Sequence, residues 1–253
     1  MQICYEKPIK KMSRLLLLLC FCLCIRQNII AQLRYVSGLF PTIDHSGSIT
    51  RNVNYSLYYF GAFPLLNLEQ PNISKDADFL LFYAEQALTF QANKHFSFTG
   101  AYVYQREKVT KDIFLNENRI HLQATYQHTI STAQLKHRLR FDNRFIKGSS
   151  TEQVTNNHRL RYLAGITIPI NNRKNNLYFT AYEEMFFNTF KNPGKVYGEN
   201  WAYAAIGIQL DSKNKLETGP LYITWNTGDR SWFHQYYLQL SWISHVDFTK
   251  KSF

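Results

Sequence analysis

The sequence predicts an all-β protein: an antiparallel up-and-down transmembrane β-barrel of about ten strands, with short periplasmic turns and long extracellular loops. Three observations predict it. First, the chain carries 17 Tyr, 19 Phe and 4 Trp, yet its mean hydropathy is only -0.32. Only alternate residues of a barrel strand face lipid, so the average stays polar while aromatic girdles at the two interfaces raise the ring count. Second, stretches of about ten residues with a period of two recur along the chain, long enough to cross a bilayer at a tilt and longer than the usual soluble strand. Third, short and long connections alternate between those stretches.

The segment before the first strand reads as a signal peptide over residues 1–31. It has a basic start (Lys7, Lys10, Lys11, Arg14), an apolar run from Leu15 to Ile25, and Ile29-Ile30-Ala31 ahead of Gln32, the order a secretory leader requires. The apolar run is too short to span about 30 Å of hydrocarbon. All four cysteines, Cys4, Cys20, Cys22 and Cys24, fall inside this segment. Cleavage after Ala31 would therefore leave a mature chain with no thiol nucleophile, disulfide or zinc ribbon. Residues 32–52 are expected to form an N-terminal periplasmic segment, and residues 53–253 the barrel.

The clearest two-solvent strand is Glu117 to His128, where Glu117, Arg119, His121, Gln123, Thr125 and Gln127 alternate with Ile120, Leu122, Ala124 and Tyr126. Leu135 to Phe145 follows the same rule: Lys136, Arg138, Arg140, Asp142 and Arg144 on one face, Leu135, Leu139, Phe141 and Phe145 on the other. Eight further strands are expected at 53–63, 79–90, 95–105, 159–170, 177–187, 201–210, 216–225 and 235–245. The connections at 91–94, 129–132, 171–176 and 211–215 are short. Those at 64–78, 106–116, 146–158, 188–200 and 226–234 are long, the asymmetry that separates periplasmic turns from extracellular loops. An even strand number would put both ends on the periplasmic side. A soluble barrel also uses period-2 strands, but turns its apolar face inward; strand length, the leader and the aromatic count favour the inverted arrangement.

If the apolar face meets lipid, the charges point into the lumen. A two-residue turn at Ile130-Ser131 would set Arg119 opposite Asp142 and Glu117 opposite Arg144, matching opposite charges across strands. A turn at Asn172-Arg173 would set Arg161 opposite Glu184. These residues, with His121, Lys136, Arg138, Arg140 and Arg159, make up the expected lumen charge network. A narrow lumen filled by paired charges is the leading reading, because buried charges need partners. In the alternative, Lys136, Arg138, Arg140 and Arg159 stay uncompensated and form a basic ladder for small anions or lipid phosphates.

The formal charge is +11, and loss of the leader's five cations and Glu6 leaves about +7, which suits anionic surroundings. There is no clustered basic tract, so nucleic acid is not an expected partner. Outer-membrane lipid and, during insertion, the barrel-assembly machinery are; a cell outer-membrane location follows, and the terminal aromatic Phe253 suits such assembly. A lipid-modifying enzyme would need His with Ser or Asp near the membrane surface. No His-x-Ser pair occurs, Ser244 and His245 are adjacent and point to opposite faces of a strand, and the remaining pair to weigh is His121 with Asp142. No metal-ligand spacing appears, and no cofactor is expected.

The segments Lys136 to Phe145 (KHRLRFDNRF), His158 to Tyr162 (HRLRY) and Glu183 to Asn188 (EEMFFN) resemble a Bacteroidota family of predicted outer-membrane barrels known as domain of unknown function 2490. The resemblance implies location and architecture and brings no established activity.

Overall fold

In a computed structural model the described residues are 34–67, 79–108, 113–170, 176–189, 196–228 and 231–249. They form a closed all-β barrel of eleven strands. In chain order these are β1 (Arg34–Ser48), β2 (Val53–Asn67), β3 (Leu81–Gln91), β4 (Phe96–Lys108), β5 (Phe114–Ile130), β6 (Ala133–Gly148), β7 (Val154–Pro169), β8 (Leu177–Asn188), β9 (Tyr197–Gln209), β10 (Asn214–Gly228) and β11 (Ser231–Asp247). The leader, the turn at Asn172-Arg173 and Phe253 lie outside the described residues.

All ten expected strands are present, most of them extended by a few residues at one or both ends. The eleventh, β1, occupies residues that the sequence assigned to a periplasmic segment. Its two faces explain the omission: Val36, Phe40, Thr42 and Asp44 point inward, and Leu39, Pro41, Ile43 and His45 outward, so polar and apolar types are mixed on both sides. No period-2 contrast announces the strand.

The eleventh strand changes the topology. β1 and β11 close the barrel side by side in parallel, from Arg34 opposite Phe233 to Ser48 opposite Asp247, while every other neighbouring pair is antiparallel. An odd strand number allows no other closure. The expected placement of both ends on one side is thereby corrected: β1 starts at the rim opposite the one where β11 finishes. The loop asymmetry is also weaker than expected. The connection expected to be long at 226–234 shrinks to residues 229–230, because β10 and β11 run on past the aromatic positions to Gly228 and Ser231.

Register fixes the barrel's shape. Successive Cα partners lead from Ser48 through Asn54, Thr89, Thr99, Gln123, Arg140, Arg161, Phe186, Glu199, Trp225 and Phe233 back to Arg34, 14 residues along β1 from the start (48 against 34). Eleven strands with that stagger give a tilt of about 40–45° and a Cα radius of roughly 11 Å. Neighbouring strands are therefore offset by about 1.3 residues at any one height.

The polarity is inverted relative to a soluble barrel. Leu122 is 67% exposed on the outside and Leu88 58%, with Ile120, Phe98, Phe90, Leu139, Leu238 and Trp242 around them. Inside, Arg119 is 1% exposed, Asp142 0% and Glu184 3%.

Candidate functional site: the charged lumen

The lumen has two unlike walls because the strands that build it differ in their inward positions. On β5 to β8 those positions carry Glu117, Arg119, His121, Lys136, Arg138, Arg140, Asp142, Arg144, Arg159, Arg161 and Glu184, so the structure brings every expected network residue to one side of the interior. On β1 to β3 and β9 to β11 they carry rings. Phe60 stacks on Phe40 at 4.7 Å and on Tyr83 at 4.4 Å, Trp201 meets Phe40 edge-on at 5.8 Å, and Tyr237 lies 5.5 Å from Phe40. Phe186 joins the walls: Arg161 and Arg159 sit over its ring at 4.3 and 4.7 Å while Trp201 packs against it at 5.8 Å.

The charges form a lattice. Asp142 is bracketed by Arg159 at 3.2 Å, Arg119 at 3.6 Å and Arg161 at 3.7 Å. Glu184 accepts from Arg161 Nε at 2.7 Å and Nη2 at 2.8 Å, and from Arg138 Nη2 at 2.7 Å. Glu117 accepts from Arg119 Nε at 2.7 Å and from Arg144 at 2.8 and 2.6 Å. Most of these bonds are charge-assisted and several are two-pronged, the geometry in which guanidinium and carboxylate hold each other most firmly.

The expected partners are thus found, but through a different register. Arg119 lies directly opposite Arg144, with His121 opposite Asp142, and Arg161 lies opposite Phe186, a displacement of two residues from the expected pairing in each case. The β5–β6 turn is at Ser131-Thr132, with Ile130 opposite Ala133. The tilt restores what the register removes. An offset of about 1.3 residues per strand brings the diagonal partner to the same height, so Arg119 meets Asp142, Glu117 meets Arg144 and Arg161 meets Glu184.

The basic ladder is overturned for three of its four members. Arg138 is paired with Glu184, Arg140 with Glu85 at 3.2 Å, and Arg159 with Asp142 and with Glu199 at 3.0 Å. Lys136 alone of the four has no carboxylate within ion-pair distance among the described residues. Two acids that complete the lattice, Glu85 on β3 and Glu199 on β9, were missed. Glu85 also accepts from Tyr83 Oη at 2.6 Å, and Glu199 from Trp201 Nε1 at 2.6 Å. The signal for them was stoichiometric: seven basic residues against Glu117, Asp142 and Glu184 demanded further buried acids.

The lumen is not filled throughout, which corrects the expectation of an interior packed solid with side chains. Between the walls runs a cavity of about 910 Å³, lined from Ser46, Gln127 and Gln134 near the short-turn rim to Lys108 and Asn188 near the other. Phe40, Phe186 and Arg119 line it midway between the rims, each under 3% exposed.

His121 does not make a catalytic pair with Asp142. Its ring nitrogens lie 3.9 Å from Asp142 and 3.9 Å from Glu85, beyond hydrogen-bond reach, and neither has a partner. The parallel seam does create a contact between Ser and His that no linear motif shows: His45 Nδ1 is 2.7 Å from Ser244 Oγ. The other ring nitrogen meets Tyr55 Oη at 2.8 Å, a phenol where an imidazolium would need a carboxylate.

An apolar exterior around an ion-paired interior defines the class: a closed β-barrel of inverted polarity. The chain belongs to the family described as Protein of unknown function (DUF2490), whose model matches residues 72–235. The match takes in all of β3 to β10 and the whole arginine lattice, while Phe40, Asp44 and Phe60 lie before it. No match is found among curated proteins.

Proposed function

We propose that the protein is an outer-membrane β-barrel, seated with its leucine and phenylalanine exterior in the acyl layer, whose narrow lumen is held in shape by the arginine–carboxylate lattice. The observation that carries this reading is the inversion of polarity. Buried ionic groups cost far more than they return unless each is paired, and a water-soluble barrel has no reason to exchange its apolar core for such a lattice while exposing Leu122, Leu88 and Ile120 to solvent. A bilayer rewards both halves of the exchange.

An anion-selective pore is the weaker reading. Eight cations line the cavity against Asp44, Glu85, Glu107, Glu184 and Glu199, and Glu117 and Asp142 immediately behind raise the acids to seven. A near-balanced lumen has little field with which to select a sign.

Quenching by brominated acyl chains tests the membrane seat. Trp242 is outward and 49% exposed, and Trp232 lies on the same outward-facing set of β11, whereas Trp201 and Trp225 line the cavity. In vesicles of brominated lipid the protein should lose a large part of its tryptophan fluorescence. A variant with both Trp232→Phe and Trp242→Phe should lose almost none. Equal quenching of the two proteins, or none in either, would remove the reading.

A further inference from the structure

In a lattice where Arg119, Arg138, Arg140, Arg144, Arg159 and Arg161 each touch a carboxylate, two charges of opposite sign stand apart. Lys136 on β6 and Asp44 on β1 both line the cavity, and among the described residues neither has a hydrogen bond or an ion pair. They share one level of the lumen. β1 and β6 are on opposite walls, five strands apart by way of β2 to β5. The stagger of the barrel brings β1 residues 44–46 to the height of Lys136, so the two charges stand at one level of the cavity that both line.

A third group is unfinished at the same place. Arg138, one inward position from Lys136, gives Nη2 to Glu184, but its Nε is buried and has no partner. Polar uncharged side chains, Ser46, Ser56, Thr89, Thr99 and Thr180, line the cavity around this level. Leaving desolvated charges unmatched is expensive, and the lattice shows that this chain matches them elsewhere.

We propose that the short-turn half of the lumen binds a small zwitterion, a free amino acid or dipeptide, whose carboxylate sits on Lys136 Nζ, beside the Arg138 guanidinium, and whose ammonium sits on Asp44. The opposed signs select the class. A simple anion would satisfy Lys136 and be repelled by Asp44, and a simple cation would meet the reverse, so only a molecule carrying both charges completes both walls. The site depends on the lumen alone and stands or falls independently of what surrounds the barrel.

The test is titration calorimetry on the folded mature protein in detergent, with alanylalanine, its N-acetyl derivative and its C-terminal amide as probes. Alanylalanine should bind, and each blocked derivative should bind at least tenfold more weakly. Lys136→Gln should erase the preference for the free carboxylate, so that the dipeptide and its amide bind alike. Asp44→Asn should instead make the dipeptide and its N-acetyl form alike. If the N-acetyl form binds the unsubstituted protein as tightly as the dipeptide, the site is one for plain anions and the proposal is overturned. Absence of binding by all three to protein that keeps the mobility of the folded barrel overturns it as well. Neither result bears on the lipid-quenching experiment, which reads the exterior.

Discussion

Asp142 holds three guanidiniums together, those of Arg119, Arg159 and Arg161. Neutralising it leaves the three cations converging on an uncharged amide, each keeping one further carboxylate, Glu117, Glu199 or Glu184. Asp142→Asn should therefore lower stability by about 3 kcal/mol, the cost of removing one partner from buried ion pairs, read as a shift in the denaturation midpoint of the folded protein. Glu152→Gln breaks the ion pair with Lys147 in the β6–β7 connection, where the acid is almost fully solvated, and should leave the midpoint unchanged. Individual residues of the lattice were legible because a charge at every second position of an otherwise apolar stretch can only face a polar interior or water. Glu85 was not: it stands among Tyr83, Ala84 and Ala87, where a single acid does not make a pattern. Asp44 was hidden in the same way, in a strand whose faces are both mixed.

Strands as elements were read from alternation, and their ends were not, because alternation fades at the rims where both faces meet polar surroundings. The β5–β6 hairpin shows what this costs. Ser131 has φ of 57°, the left-handed conformation that disfavours a side chain and favours glycine or asparagine. A serine carries no such signature in the sequence, so the turn was placed one residue early and the whole register moved by two. Ser131→Gly should relieve that strain and stabilise the hairpin by about 0.5–1 kcal/mol, measured as a raised denaturation midpoint; Ser131→Val should lower it. β1 marks the other limit of element-level reading. Its partners, β2 and β11, decide that it is a strand, and neither contact is visible in a local window.

For the whole molecule, strand length and inverted alternation were enough to predict a barrel, while closure was not, because an odd count turns on one strand without a pattern. The seam can be tested directly. Ile43 lies opposite Trp242 across it, on the outward face, and residues 32–253, the part to be used for the test, contain no cysteine. Oxidation of a variant carrying Ile43→Cys and Trp242→Cys should give a cross-linked species of altered mobility in high yield, whereas Ile43→Cys combined with Leu238→Cys, some four residues out of step, should not. The same seam also sets an order of events in assembly. The other ten strand pairings join consecutive strands through short or moderate connections and form from local chain. The β1–β11 pairing joins residues 199 apart, as His45 and Ser244 show, so it carries the largest loop-closure entropy and gains its hydrogen bonds only once the rest of the sheet has curled. Until that moment the sheet has two open edges at β1 and β11, which makes this pair of strands the point at which an assembling chain is most exposed to pairing with a second molecule.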